Sequence, residues 1–301
     1  MKNIEIKRKN RSNLTPYLLL APAMILVLSV MGYPMIDSIR ISFLDYSLLA
    51  PNDIEFIGFG NYVKLFNDSD LFNVFLNSIK WVVSVVSIQF LIGFLLALLL
   101  TRHFRGKKFY QSVVFLPWAV PVFLAGLMFK WIFSESNGIL NYFLTSLGMI
   151  DEAVSWLGNS KLSMSGPITA MIWYGIPFFG IMILAALQSI PQDVYDAAKI
   201  DGSNAVQQLF YVTLPYIKPT IITTLLLRVI WVFNSPDIIH TMTGGGPANS
   251  SNILTLYVFN QAFYSLDFGY GSAVGILIMV LLVIYVLLFL KLTKYESAGD
   301  F

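Results

Sequence analysis

The stretch SIPQDVYDAAKIDGSNAVQQLFYVTLP, residues 189–215, decides the fold, because it is a polar helical hairpin inside an otherwise apolar chain. Pro191 suits the first turn of a helix, where its missing N–H costs nothing. Asp193 and Asp196 follow near the positive end of the helix dipole. Val194, Ala197 and Ala198 recur at i, i+3, i+4, giving a narrow face with small residues at its middle. Asp201-Gly202 stops this helix, since glycine takes the positive φ that such a stop requires. Ser203 or Asn204 can cap a second helix in which Val206, Leu209, Phe210 and Thr213 line one face. Pro215 is expected to end that helix. Two readings stand: a hairpin lying on lipid headgroups, or a docking element for another protein. Interfacial helices are usually basic. This one holds more Asp than Lys and sets paired alanines beside a glycine turn, which favours docking.

The surroundings place the hairpin at a membrane. Of 301 residues, 56% are hydrophobic and 12% charged, about half the charge fraction of a soluble domain. The mean hydropathy is +0.70. Charge this sparse cannot cover a water-facing surface, so most of the exterior faces lipid. The net charge of +2 gives no reason to expect nucleic acid. The absence of cysteine excludes disulfides, thiol catalysis and cysteine-based metal sites. His103 and His240 stand too far apart for a paired-histidine metal motif, and no metal is expected.

A transmembrane helix needs about 20 predominantly apolar residues. Six stretches qualify: 17–36, 81–100, 111–133, 166–187, 219–239 and 272–292. The third contains Pro117 and Pro121 and is expected to be kinked or broken. The first is longer than a signal-peptide core and is read as a retained anchor. The expected organisation is a cytoplasmic segment at 1–16, a six-span domain over 17–293 and a cytoplasmic tail at 294–301.

Lys and Arg set the orientation. One side holds thirteen: Lys2, Lys7, Arg8, Lys9 and Arg11, then Arg102, Arg105, Lys107 and Lys108, then Lys199, Lys218, Lys291 and Lys294. The other side holds five, Arg40, Lys64, Lys80, Lys130 and Lys161, and Arg228 falls inside a span. Both termini and the hairpin are therefore expected in the cytoplasm. The outer loops, about 37–80 and 134–165, are longer and more acidic. They read either as ordinary external loops or as a landing surface for an external partner.

The hairpin closely resembles the EAA loop of ABC-importer permeases, whose pattern is roughly E-A-A-x-x-D-G-x(7)-F-x(3)-L-P. Ala197, Ala198, Asp201, Gly202, Phe210, Leu214 and Pro215 match in register, and Asp196 stands where the pattern has Glu. PYLLLAP at 16–22, FLPWAVP at 115–121, IWYGIPFF at 172–179 and TGGGPANSSNILTLYVFNQAF at 243–263 extend the resemblance over nearly the full length. The chain is similar to the six-span carbohydrate-type branch, typified by maltose and glycerol-3-phosphate permeases. The resemblance implies an all-α integral membrane protein of the type I ABC importer kind, with the loop forming a coupling helix between spans 4 and 5. It implies four partners or partner classes: a second, distinct permease chain, two cytoplasmic ATPase subunits, an extracytoplasmic solute-binding protein and membrane lipid. The setting is a bacterial or archaeal inner membrane.

The sequence carries no ATP site of its own. A phosphate-binding loop reads G-x-x-x-x-G-K-[ST]. The nearest stretch, TRHFRGKK at 101–108, has Thr101 for the first Gly and Lys108 for the Ser or Thr. GGGP at 244–247 lacks Lys and reads as a turn on the outer side. ATP and Mg are therefore expected on the partner ATPase, and no cofactor in this chain.

Polar groups within spans are costly and usually face a cavity or a partner. Span 4 offers Trp173, Tyr174 and Gly175 ahead of Pro177. Span 5 offers Arg228, Trp231, Asn234 and Ser235, with Arg228, Trp231 and Ser235 on one helical face. Core or lipid packing would explain the aromatics. In the maltose-type relatives, however, the W-x-G of span 4 and a polar face of span 5 line the sugar site, and the resemblance implies the same path here. Arg228 admits two roles, contact with substrate or a structural charge bonded to a neighbour. Pairing with Asp237, half a turn around the helix, is not expected. The competing function is an ion-coupled secondary transporter of small polar solutes, which should show repeated halves and coupling ions at interrupted helices. The sequence has no internal repeat and no carboxylate cluster within its spans. A non-transporting membrane scaffold would leave the EAA pattern unexplained.

Overall fold

The computed structural model describes residues 15–293. The N-terminal basic cluster and the 294–301 tail lie outside the described residues. The chain enters through α1 (Thr15–Val27), a wide π turn at Leu28–Gly32 and α2 (Tyr33–Ile41). None of the apolar side chains of this first span is buried within the chain.

The loop between the first and second spans, expected on the outer side, contains a two-residue antiparallel pair, β1 (Leu44–Asp45) with β2 (Glu55–Phe56), and then α3 (Gly60–Asn67). The second span, α4, runs from Ser69 to Thr101, starting well before the expected Trp81. Its N-terminus is capped by Asp68, whose carboxylate accepts the backbone N–H groups of Asp70 and Leu71. At 33 residues it is about 50 Å long, so it extends beyond the hydrocarbon slab. The third crossing is broken, as the prolines require. α5 (Lys107–Phe115) and a 3₁₀ turn at Leu116–Ala119 meet α6 (Val122–Ile132) at 94°. Among the described residues, five helices are long and apolar enough to cross a membrane, and this bent pair makes a sixth crossing when counted as one.

The outer helix α7 (Ile139–Ser146) leads to span 4, α8 (Ser165–Gln188). The pair α4 and α8 forms the most extensive helix contact of the fold. Glycine makes that approach possible, because a Cβ on Gly93 would lie 2.6 Å from the Phe179 Cβ and 3.0 Å from the Gly180 nitrogen. Contacts advance together along both helices, from Gln89 with Met171 to Gly93 with Phe179. The two therefore run parallel, and the basic turn at 102–108 and the hairpin at 189–215 emerge at the same end.

The hairpin comprises α9 (Gln192–Ile200) and α10 (Ala205–Gln208). Span 5 is α11 (Leu214–Phe233), followed by α12 (Asp237–Met242). Pro215 does not end the second hairpin helix as expected. Helix continues from Ala205 through to Phe233 because a π turn at Leu209–Thr213 absorbs the proline. Leu214 N–H bonds to Leu209 O, five residues back. Proline cannot donate, and its ring crowds the carbonyl four residues before it; widening the preceding turn removes both conflicts. Tyr33-Pro34 repeats the device, with Tyr33 N–H on Leu28 O.

Helix α13 (Leu254–Phe263) and span 6, α14 (Phe268–Thr293), complete the chain. A core of Trp81, Phe179, Ile183, Ile217, Val232 and Ile238 binds spans 2, 4 and 5. A second core, including Leu65, Val74, Leu254, Tyr270 and Val274, sits at the end of the spans opposite the hairpin, the end expected to face outward. There the loops lock into one cap. Leu48 N–H bonds Leu266 O, Asn77 Nδ2 bonds Asn249 O, and the Ser163 and Ser250 hydroxyls lie 2.8 Å apart.

Candidate functional site

Two regions concentrate the residues singled out by sequence: the hairpin and the middle of spans 4 and 5. In the hairpin, Asn204 is the cap, and its side chain accepts from Val206 and Gln207 N–H. The Gln207 side chain in turn accepts from Asn204 N–H, completing a capping box. Gly202 adopts φ +82° with open space around its missing side chain. The first helix is tied back to the spans by Tyr195, whose hydroxyl lies 3.0 Å from Thr213 Oγ1. Val194 and Tyr195 rest against the main core.

The rest of the hairpin faces outward. Asp196, Ala197, Asp201 and Gly202 are exposed, as are Phe210 and Pro215, while Ala198 and Leu214 are half-buried. Asp196 accepts from Lys199 Nζ at 2.9 Å and from Gln192 Nε2 at 3.2 Å. These bonds hold its carboxyl below the usual carboxylate range. The predicted single face of Val206, Leu209, Phe210 and Thr213 is split. Thr213 is buried toward the spans and Leu209 half-buried, whereas Val206 and Phe210 point to solvent. The π turn rotates the helix between them and divides the stripe. Ile200 at 87% and Tyr211 at 80% exposure join Val206 and Phe210 as apolar side chains with no partner among the described residues.

Within the spans, Arg228 is 3% exposed. Its Nε donates to Gln89 Oε1 at 2.8 Å, and Gln89 Nε2 donates to Met171 O at 2.5 Å. The guanidinium lies 5.4 Å from the centre of the Phe178 ring, within cation–π range. Its Nη2 has no hydrogen-bond partner, and none of the ion pairs among the described residues involves Arg228. In this conformation the neighbour of the charge is an amide rather than a carboxylate. Gly175 is buried here, and a Cβ on it would overlap both Arg228 Nη2 and the Gln89 amide. In this conformation the missing side chain leaves the slot that admits the arginine.

Trp231 is half-exposed and packs on Phe178 at 5.3 Å, and Trp118, from the turn that breaks span 3, meets the same ring at 6.1 Å. Trp173 instead packs on Phe129 at 5.5 Å, and Tyr174 is half-buried against the main core. Asn234 and Ser235 bond back to Ile230 O and Trp231 O, so their donors serve the carbonyls at the end of α11. Gln89, Trp118 and Phe178 were missed by the sequence reading. Gln89 had a signal, being a lone amide in the run VVSVVSIQFLIGF. Phe178 had none, because only its position under the arginine distinguishes it.

Half of the acidic residues of the 37–80 loop are bonded within the fold. Asp37 pairs with Arg40, Asp70 accepts from Asn249, and Asp68 accepts from the Tyr257 and Tyr270 hydroxyls. Asp45, Asp53 and Glu55 remain exposed.

Comparison with known proteins agrees with this architecture. Residues 89–293 match the family described as "Binding-protein-dependent transport system inner membrane component". The chain is 34% identical over 280 residues to the sulfoquinovosyl glycerol transport system permease protein SmoG of Agrobacterium fabrum, covering 93% of this chain and 90% of that one. It is 31% identical over 295 residues to the trehalose/maltose transport system permease protein MalF of Thermococcus litoralis, covering 98% of both. Its fold superposes on a chain of a bacterial ABC transporter involved in the import of the acidic polysaccharide alginate. The TM-score there is 0.81 at 23% identity, over 94% of this chain and 96% of that one. The chain therefore belongs to the family of inner membrane components of binding-protein-dependent transport systems, as a multi-pass permease.

Proposed function

We propose that this chain forms half of the translocation path of an ABC importer for a sugar or oligosaccharide, and that a separate ATPase drives it. The carrying observation is the outward apolar surface of Ile200, Val206, Phe210 and Tyr211 on a hairpin braced against the spans through Tyr195 and Thr213. Such a surface is costly in water and marks a protein contact. Its position beside the basic 102–108 turn supports a cytoplasmic partner, with both termini on that side. The names of the relatives, which include a diacetylchitobiose uptake permease and an arabinooligosaccharide permease, support a saccharide cargo.

The partners are a second permease chain, two ATPase subunits that bind ATP and Mg, and an external solute-binding protein. Closure of the ATPases biases inward-facing against outward-facing arrangements through differential contacts at the hairpin. Trp231 and Trp118 supply half-exposed aromatic faces on which sugar rings can stack, and Arg228 lies just behind them across Phe178.

Affinity purification of the tagged chain should bring down an ATPase, and the assembly in liposomes should couple ATP hydrolysis to saccharide uptake. Gly202→Asp introduces a strained left-handed residue, costing about 1–2 kcal/mol, and adds a charge to the docking face. It should lower ATPase recovery or coupling more than Gly202→Ala, which adds the strain alone. Arg228→Ala should abolish uptake while the ATPase still co-purifies. A Gly202→Asp assembly with full coupling would sink the docking assignment, and normal uptake by Arg228→Ala would sink the path assignment.

A further inference from the structure

We infer that α3, in the first outer loop, is an outer-leaflet lipid anchor: its Phe59–Val63–Phe66 stripe is immersed among acyl chains at the membrane surface. Phe59, Val63 and Phe66 fall at i, i+4, i+7, on one face of the helix. All three are exposed, Phe66 at 83%. Phe56 just before the helix and Phe72 just after it extend the same exposed apolar surface. The opposite face is tied to the protein. Asn61 is buried and donates to Ser42 O and Leu44 O, Leu65 is in the outer core, and Lys64 bonds Asp267 at 2.7 Å. The helix therefore cannot roll to hide its stripe.

Depth identifies what covers it. Phe66 and Phe72 line a cleft of about 300 Å³ together with Leu65, Leu71, Phe75, Leu277 and Leu281, and Asp68, whose carboxylate is bonded to Tyr257 and Tyr270, borders it as well. Leu277 and Leu281 lie well inside span 6, which begins at Phe268 and runs for 26 residues. At 1.5 Å per residue that span is about 39 Å long, and Leu277 sits about 14 Å below its outer end. A hydrocarbon slab of about 30 Å centred on the span begins only about 5 Å below that end. The cleft that Phe66 and Phe72 border thus reaches down to acyl-chain level at Leu277, while the bonded Asp68 carboxylate marks its upper rim. The stripe is also continuous with the exposed apolar surface of α4 through Phe72 and Leu76. No free charge lies on the stripe, so anchoring rests on apolar and aromatic insertion rather than on anionic headgroups.

The chain has no native cysteine, so a nitroxide can be attached at one position at a time. Val63→Cys and Phe66→Cys, each in the full chain with its co-purifying subunits in phosphatidylcholine nanodiscs, are compared with Asp53→Cys on the exposed loop. Collision rates with oxygen, which partitions into lipid, and with a water-soluble nickel chelate are read by electron paramagnetic resonance. Both stripe labels should show an oxygen-to-nickel ratio several-fold above that of the Asp53 label. A ratio equal to the Asp53 label would place the stripe in water and overturn the inference. Shielding from both reagents would mean that a protein covers it, and would overturn the inference equally. Use of two positions guards against a local loss of structure at either one.

Discussion

Replacing Gln89 with Leu keeps most of its volume and deletes the only bonded acceptor of the Arg228 guanidinium. An interhelical hydrogen bond in a membrane averages only about 0.6 kcal/mol. Here the donor is charged and 3% exposed, which raises the bond to about 1.5–3 kcal/mol. Nη2 is already unpartnered, so the substitution leaves two orphan donors on one buried cation. We expect Gln89→Leu to cost about 2–3 kcal/mol, a magnitude set by the unsatisfied charge rather than by packing. Arg228→Met alone should cost about 1–3 kcal/mol by orphaning the Gln89 carbonyl. The double variant replaces both partners with apolar groups and should lie near wild type, since such replacements are often neutral or stabilising. The coupling energy, about 2 kcal/mol or more, stands clear of the 0.3–0.5 kcal/mol scatter of independent sites. Reversible unfolding of the purified chain in mixed micelles, followed by tryptophan fluorescence, measures all four proteins. Single costs that simply add in the double variant would refute the reasoning and make Arg228 an isolated charge stabilised by something else.

The two remaining predictions concern the outer cap and the helix crossings. Burial opposes ionisation of Asp68, but bonds from Tyr257, Tyr270 and the Asp70 and Leu71 amides outweigh it and hold the carboxyl below its ordinary value of 3.8. A depressed carboxylate stabilises the fold above its unfolded pKa and loses that contribution as pH falls through the folded one. Cap stability, read by hydrogen exchange at Leu71 and Tyr270, should therefore drop below about pH 4, and Asp68→Asn should remove the pH dependence while costing about 1–3 kcal/mol at neutral pH. Gly93→Ala, which drives a Cβ into Phe179, should cost about 1–3 kcal/mol in the same unfolding assay, whereas Gly275→Ala, with nothing within 4 Å, should be neutral or better. Equal effects at the two glycines would contradict the close α4–α8 crossing.

Much of the fold was legible in the sequence because the bilayer imposes a one-dimensional rule. Every backbone group in hydrocarbon must bond within its own helix, so long apolar runs report spans without reference to neighbours. Local chemistry was equally readable. Gly202, Asn204 and the prolines of the broken third span act within a turn or two of themselves, and the structure places a stop, a cap and a break at those residues. Other features depended on partners remote in sequence. Pro215 was expected to end a helix, and only the π turn before it let the rod continue. The start of α4 was hidden because Asn73, Asn77 and Lys80 dilute its outer third, while its capping by Asp68 and packing against the outer cap keep it helical. That Gly175 leaves room for an arginine from span 5 could not be read from the sequence. Arg228 itself could be placed in a span by sequence, but not paired, since its partner Gln89 stands 139 positions away. Sequence alone thus determined which segments leave water and which remain polar, because that follows from each segment's own transfer free energy. Tertiary structure alone decided which buried polar groups meet, because that depends on where glycines allow the helices to touch.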